Sequence, residues 1–149
     1  MKKKALFSGT FDPFTIGHDA LVKRALCLAD EIIIAIGTNL EKKTFFSLDE
    51  RISTIREIYK EEQRISVTAY DTLTIDFAKQ CGVDFILRGI RTINDFEYEK
   101  SMADMNRMLS GIETVFLFSE PEYACISSGI VRELINYKKD ISNLIPLIK

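Results

Sequence analysis

The segment from Phe7 to His18, FSGTFDPFTIGH, contains the only histidine of the chain, two glycines, a proline and an aspartate. It follows a short apolar run, which indicates a turn between a strand and a helix. In such a turn Gly9 would let a ligand approach the backbone, and Thr15 would be the N-cap of the helix that contains His18. The N-terminus of a helix binds phosphate through free N–H groups, and an imidazole adds a donor. The spacing alone leaves open the alternative of a surface turn with an incidental histidine.

Two basic segments are further candidates for binding an anion. Lys42 and Lys43 are adjacent, and the alternative for them is a solvated pair of charges. Arg88 ends an apolar run, where a cation is costly unless an anion meets it, and its planar guanidinium fits a phosphate. The alternative for Arg88 is an ion pair with a following acidic residue: Asp95, Glu97 or Glu99.

A serine-rich segment, ISSG at 126–129, marks the start of another predicted helix. Its hydroxyl and N–H groups would form a second anion site, or Ser127 or Ser128 would simply cap the helix. The sequence shows no convincing nucleophile paired with a base. These residues therefore indicate phosphoryl or nucleotidyl transfer, in which catalysis is mainly positioning and charge stabilisation.

Strand-like and helix-like patterns alternate along the chain and would position these residues. The run EIIIAIG at 31–37 is typical of a parallel strand covered on both faces, and Ser47 with Glu50 forms a capping box. The predicted strands are 4–8, 31–37, 65–70, 83–87 and 113–118. The predicted helices are 18–29, one that begins at the capping box, 75–81, 96–109 and 128–137.

Five successive βα units predict an α/β fold, a doubly wound, Rossmann-like sheet of five parallel strands with helices on both faces. Ligands of such sheets bind beyond the carboxyl ends of the strands. Because the four candidate segments all follow predicted strands, we expect them to meet in one polyphosphate site. The length of 149 residues and the lack of a linker predict a single domain, 1–149.

Composition and charge exclude several classes of function. A net charge of −2 argues against binding to nucleic acid, which usually needs a basic face. No stretch approaches the roughly 20 apolar residues of a membrane span, and no signal peptide is apparent, so we expect a cytoplasmic protein without a membrane partner. Cys27, Cys81 and Cys125 are far apart, which predicts buried free thiols rather than a disulfide framework or a protein metal site.

Several motifs resemble a known superfamily. GTFDPFT-x-GH is similar to the first signature of the nucleotidyltransferases with the (T/H)xGH motif, and ISSG resembles their second, serine-rich signature. The Lys42–Lys43 loop, RGIRTINDFEYE at 88–99 and MNR at 105–107 are similar to bacterial phosphopantetheine adenylyltransferase. The resemblance covers essentially the whole chain. Gly129 stands where a third serine is usual, and Ser8 where a proline is common.

The resemblance implies adenylyl transfer from ATP to 4′-phosphopantetheine, which yields dephospho-coenzyme A and pyrophosphate in coenzyme A synthesis. It also implies Mg²⁺ as cofactor and a homohexamer. Catalytic roles would belong to His18, Lys42 and Arg91. ATP would contact Thr10, Phe11, His18, Gly89, Ile90, Arg91, Glu99, Tyr123, Ala124, Cys125, Ile126, Ser127, Ser128 and Gly129. Phosphopantetheine would contact Thr10, Lys42, Leu73, Thr74, Arg88 and Asn106.

Two alternatives to this function remain open at the level of sequence. One is another small-molecule nucleotidyltransferase, acting for example on nicotinamide mononucleotide or glycerol phosphate. The other is a nucleotide-binding sensor without turnover, which would bind ATP yet release no pyrophosphate when phosphopantetheine is added.

Overall fold

The computed structural model of the chain describes residues 1–38 and 43–148. The strands are β1 Lys4–Gly9, β2 Glu31–Gly37, β3 Ile65–Tyr70, β4 Phe85–Ile90 and β5 Glu113–Phe118. The helices are α1 Ile16–Ala25, α2 Leu48–Ile58, α3 Thr74–Cys81, α4 Ile93–Ser110 and α5 Ser128–Asn136, with a short 3₁₀ turn at Pro121–Tyr123. Among these residues no helix combines the length and the apolar character that crossing a membrane requires.

The five strands form one parallel sheet in the order β3-β2-β1-β4-β5, which confirms the predicted doubly wound architecture. β1 lies in the middle, where Phe7 pairs with Ile34 of β2 and with Leu87 of β4. The chain winds in one direction from β1 to β3 and in the other from β4 to β5. The switch point therefore lies between the carboxyl ends of β1 and β4, where such sheets bind ligands.

Successive strand residues point to opposite faces of the sheet, and helices cover both faces. On one face the fully buried Val22 of α1 and Ile55 of α2 belong to the same cluster as Ile34. On the other face Ala78 of α3 packs in a second cluster with Leu6 of β1. The continuous apolar run of β2 is thus explained by burial on two sides.

Side-chain caps decide where several helices begin. Ser47 and Glu50 form the predicted capping box of α2: the Glu50 N–H donates to Ser47 Oγ over 3.1 Å, and the Ser47 N–H donates to Glu50 Oε2 over 2.7 Å. α4 begins three residues before the predicted start because Thr92 caps it, accepting the Asp95 N–H over 3.1 Å. The predicted N-cap Thr15 of α1 is confirmed, and the helix therefore begins at Ile16, two residues before the apolar pattern that starts at His18.

Three further sequence expectations were wrong in detail. α1 ends at Ala25, because the N–H groups of Cys27 and Leu28 bond to carbonyls three residues back and tighten the chain into a turn. β4 spans 85–90 rather than 83–87, because its pairing with β5 continues as far as Ile90. The thiols are not all buried: Cys27 and Cys125 are exposed, since both lie in surface turns.

The central packing around Ile34 can be tested by removing methylene groups. The Ile34 side chain is completely buried, so Ile34→Ala should lower the free energy of unfolding by about 2–5 kcal/mol, and Ile34→Val by about 0.5–1.5 kcal/mol. Urea unfolding followed by circular dichroism measures both values. Equal, negligible losses in the two variants would contradict the packing of this residue at the sheet's centre.

Candidate active site

A cavity of about 630 Å³ opens at the switch point, beyond the carboxyl ends of β1 and β4. Its walls come from the segments after β1, β2, β4 and β5, which is the convergence expected from the sequence. The predicted site residues that line it are Thr10, Phe11, His18, Arg88, Gly89, Arg91, Glu99, Tyr123, Ile126, Ser127, Ser128 and Gly129. Lys43 lines it as well, whereas Lys42 lies outside the residues that the structure describes.

Some predicted contacts do not line this cavity. The residues concerned are Leu73, Thr74, Ile90, Ala124, Cys125 and Asn106. Leu73 is the exposed N-cap of α3, and the hydroxyl of Thr74 is within 2.8 Å of the Tyr70 hydroxyl. Ile90 is buried in β4, and the carbonyl of Asn106 accepts the Ser110 hydroxyl. Their predicted contacts with ATP or phosphopantetheine therefore stay predictions.

His18 occupies the third position of α1 and completes a capping box with Thr15. The backbone N–H of Thr15 donates to His18 Nδ1 over 2.9 Å, and the His18 N–H reaches Thr15 Oγ1 over 3.4 Å. Because Nδ1 acts as the acceptor, the proton of the neutral ring resides on Nε2. The fold thereby makes His18 a hydrogen-bond donor through Nε2 and orients the ring from the backbone.

The surroundings of His18 keep it neutral. Its ring contacts three phenylalanine rings, with centroid distances of 6.2 Å to Phe7, 5.1 Å to Phe11 and 5.2 Å to Phe14. Burial, together with the charges of Arg91 and Arg88, lowers the pKa of His18 from 6.5 to about 3. The positive charge of the cavity therefore comes from the arginine and lysine side chains, and the imidazole contributes a polar N–H.

The N-terminus of α1 is partly occupied by the protein itself. The Ile16 N–H donates to the carbonyl of Leu144 in the C-terminal tail over 2.9 Å, and Thr15 takes the His18 N–H. The first-turn N–H of Gly17, which lines the cavity, is the one left for an anion within the described part of the chain. The predicted anion site at this helix would therefore use one backbone N–H together with the imidazole N–H, and not the whole first turn.

The N-terminus of α5 approaches the same cavity. Ser127 is its cap and accepts the Ile130 N–H over 3.1 Å, while the hydroxyl of Ser128 donates to the Pro13 carbonyl over 2.8 Å. The capping alternative is therefore correct for Ser127. Because the backbone of Ser128 and Gly129 forms the first turn at the cavity, it still presents N–H groups to an anion.

Two arginines from the end of β4 carry the basic charge of the site, and each has an acidic partner. Arg88 Nε donates to Glu99 Oε2 over 2.8 Å, and Nη2 donates to Oε1 over 2.5 Å. Arg91 Nε lies 3.3 Å from Asp95 Oδ2. The ion-pair alternative is thus realised for Arg88, with Glu99 as the partner. Both guanidinium groups nevertheless line the cavity, so the pairs hold them there.

Three residues that the sequence reasoning assigned no role also shape the site. Arg132 lines the cavity and donates from Nη1 to the Asp12 carbonyl over 2.8 Å. Its position one turn into the ISSG helix was a signal that could have identified it. Asp12 lies within the first motif and Arg51 just after the capping box, but only their tertiary contacts reveal what they hold.

Gly9 also has a role in packing, since a Cβ there would lie 3.0 Å from the Phe11 ring.

The carboxylates around the cavity do not form a cage for a metal ion. Those that line it are Asp12, Asp95 and Glu99, and each already accepts hydrogen bonds from backbone N–H or guanidinium groups. Within residues 1–38 and 43–148 no group of three or more His, Cys, Asp or Glu side chains could hold a metal ion. A magnesium ion would suit this site as part of a triphosphate complex, coordinated mainly by phosphate oxygens and water.

The single histidine allows a direct test of its electrostatic state. Because the folded pKa lies well below 6.5, the imidazole should stay neutral as the pH falls from 8 to about 4, whereas an exposed histidine would protonate. NMR titration of the ring of the free protein measures this. The ring nitrogens should also report the Nε2–H tautomer throughout. A midpoint between pH 6 and 7 would contradict the described environment of His18.

Comparisons with known proteins show the family to which the chain belongs. A family model described as cytidylyltransferase-like matches residues 6–134. A phosphopantetheine adenylyltransferase of Bacteroides thetaiotaomicron is 60% identical over 144 residues, which is 97% of this chain and 95% of the relative. The protein of that name from Bacteroides fragilis is 58% identical over 144 residues, covering 97% of this chain and 96% of the relative.

A solved structure described as a nicotinate-nucleotide adenylyltransferase from Vibrio parahaemolyticus has a TM-score of 0.66 to this chain. It shares 19% sequence identity and covers 99% of this chain and 95% of its own, so it supports the fold alone. The level of identity to the Bacteroides proteins is far higher and extends over nearly the full length of both chains. The chain therefore belongs to the phosphopantetheine adenylyltransferase family, within the cytidylyltransferase-like proteins.

Proposed function

We propose that this protein transfers the adenylyl group of ATP to 4′-phosphopantetheine, releasing pyrophosphate and forming dephospho-coenzyme A. The observation that carries the proposal is the arrangement of one cavity in which a neutral Nε2–H donor, His18, lies with two helix N-termini and the side chains of Arg88 and Arg91. All of these groups recognise phosphate oxygens. Family membership supplies the identity of the two substrates.

The reaction requires no nucleophile from the protein. A phosphate oxygen of phosphopantetheine attacks the α-phosphorus of ATP, the new P–O bond forms as the bond to the β-phosphate oxygen breaks, and pyrophosphate leaves. Negative charge develops on the oxygens around the α-phosphorus. A preorganised donor such as His18 Nε2–H, held by the Thr15 N–H, stabilises that charge without reorganising during the step.

The basic side chains divide between the two substrates in this proposal. Arg88, fixed by Glu99, would hold the phosphate of phosphopantetheine together with Lys42, which would also lie near the transferring group. Arg91 would contact ATP and assist catalysis. The first turn of α5 would hold the ATP phosphates through its N–H groups, and Tyr123 would lie against the adenine. The Mg²⁺ ion would enter with ATP as part of the substrate, since the cavity carboxylates are already engaged.

Assembly into a homohexamer is a further part of the proposal. α4 has no buried residue in the isolated chain, and it exposes large apolar side chains, among them Ile93, Tyr98, Met108 and Leu109. An apolar surface of this kind supports association between copies of the chain. The number of six copies rests on the resemblance to the bacterial enzymes alone, and a cytoplasmic location is a separate part of the proposal.

The proposed reaction can be tested with the purified protein. Pyrophosphate release should require both Mg²⁺-ATP and 4′-phosphopantetheine, and dephospho-coenzyme A should appear in equal amount. CTP in place of ATP, and nicotinamide mononucleotide or glycerol phosphate in place of phosphopantetheine, are the controls. Turnover with one of these controls instead would identify another nucleotidyltransferase, and ATP binding without any release would identify a sensor.

The role of His18 can be separated from its contribution to helix capping. His18→Ala should lower kcat by about 10²–10³-fold, because one preorganised donor to developing charge is lost, while ATP affinity should fall much less. Asp30→Ala removes another side-chain acceptor of a backbone N–H, that of Lys3 over 2.7 Å, at the opposite end of the sheet, and should leave kcat unchanged. Steady-state kinetics and ATP titration provide the values. A His18→Ala protein with normal kcat and a collapsed ATP affinity would disprove the transition-state role.

A further inference from the structure

Two buried charged side chains join the segment 43–47, which precedes α2, to the turn after β1. Asp12, in the turn after β1, and Arg51, in the first half of α2, are 4% and 6% exposed. Charged groups are almost never buried to this degree unless they are fully engaged. The contacts of these two residues therefore indicate what they hold in place.

Asp12 binds the segment through its carboxylate. Oδ2 accepts the Phe45 N–H over 2.7 Å, and Oδ1 accepts the Phe46 N–H over 2.8 Å. Hydrogen bonds to an ionised group are shorter and stronger than those between neutral groups. Both carboxylate oxygens are thus used on consecutive backbone N–H groups more than thirty residues away in sequence.

The guanidinium group of Arg51 binds backbone carbonyl groups of the same segment. Its Nε lies 3.2 Å from the Phe46 carbonyl oxygen and 3.3 Å from that of Ser47, and its Nη1 donates to the Thr10 carbonyl over 2.8 Å. One guanidinium therefore joins the segment to the turn after β1. Asp12 thus accepts backbone N–H groups of the segment, and Arg51 donates to its backbone carbonyl groups.

The joined segment forms one wall of the cavity. Lys43, Thr44 and Phe45 all line it, and Lys43 is the basic residue among them. The segment has no regular secondary structure before α2 begins at Leu48, so no helix or strand ladder holds its backbone in place. The two buried side chains supply the hydrogen bonds that a regular element would otherwise provide.

We propose that Asp12 and Arg51 are positioning residues that hold the wall formed by Lys43, Thr44 and Phe45 at the distance from His18 that the reaction needs. Neither residue has to touch a substrate for this role. The inference rests on the proposed function, because it assigns the wall to the binding of the acceptor phosphate. A misplacement of about 1 Å at such a site is enough to slow a reaction about 10²-fold.

The test compares Asp12→Asn with the natural protein in three measurements. The amide can accept only one of the two N–H groups, so hydrogen exchange at Phe45 or Phe46 should become at least about tenfold faster. kcat/KM for phosphopantetheine should fall by about 10–100-fold, while the Kd for Mg²⁺-ATP changes less than about twofold. Arg51→Gln should likewise speed exchange at Phe45 or Phe46 and lower kcat/KM for phosphopantetheine, with the Kd for Mg²⁺-ATP again nearly unchanged.

Matched controls separate positioning from general loss of structure. Asp84→Asn removes a carboxylate that accepts the Lys4 N–H over 2.8 Å at the opposite end of the sheet. Arg56→Gln removes a guanidinium of α2 that donates to the Val67 carbonyl over 3.1 Å. Both controls should keep the natural kcat/KM and the natural exchange rates at Phe45 and Phe46.

The outcomes distinguish this proposal from the proposed function. Faster exchange at Phe45 or Phe46 with unchanged kcat/KM would overturn the positioning role. Loss of ATP affinity in step with a lower unfolding midpoint would also overturn it, because it would reveal only structural damage. If the natural protein shows no turnover with phosphopantetheine, the proposed function fails. Unchanged exchange in Asp12→Asn would overturn the positioning role independently of turnover.

Discussion

The pairing of β1 with β4 is the constraint on which the site depends. It places the turn after Gly9 beside the Arg88–Arg91 segment, although nearly eighty residues separate them in sequence. Arg88 strengthens the junction by donating from Nη1 to the carbonyl of Ser8. Every other contribution to the cavity is arranged around this junction, because the remaining parallel strands end at the same edge of the sheet.

The electrostatic design combines permanent cations with a histidine that stays neutral. Burial against three phenylalanines and the nearby arginines lowers the pKa of His18 to about 3. The imidazole therefore offers an N–H donor without carrying a positive charge. The arginines in turn are held by Glu99 and Asp95. Such pairs keep the guanidinium groups in position in the free protein, which would reduce the ordering cost of binding an anion.

Irregular segments supply nearly half of the residues that line the cavity, and hydrogen bonds from side chains to the backbone join these segments to one another. Asp12 and Arg51 hold the segment before α2, Ser128 bonds to the carbonyl of Pro13, and Arg132 bonds to that of Asp12. The Leu144 carbonyl takes the first N–H of α1. These hydrogen bonds form a network that connects the cavity-lining segments to one another.

The sequence by itself determined the fold class, the five strands and helices and the edge of the sheet at which the site forms. Local information is sufficient for these features. Apolar periodicity and the Ser47–Glu50 capping box act within a few residues, and the carboxyl ends of parallel strands necessarily lie at the same edge of the sheet. The motif at Phe7–His18 likewise identified a turn that lines the cavity.

Only the tertiary structure decided how the charges are used. The neutral state of His18 depends on Phe7, Phe11, Phe14 and the arginines meeting around one ring, which no local pattern encodes. The choice of Glu99 among three possible partners of Arg88 and the engagement of Asp12 with Phe45 and Phe46 also depend on the folded chain. The physical reason is that burial and hydrogen-bond partners are properties of the folded chain, set by residues distant in sequence.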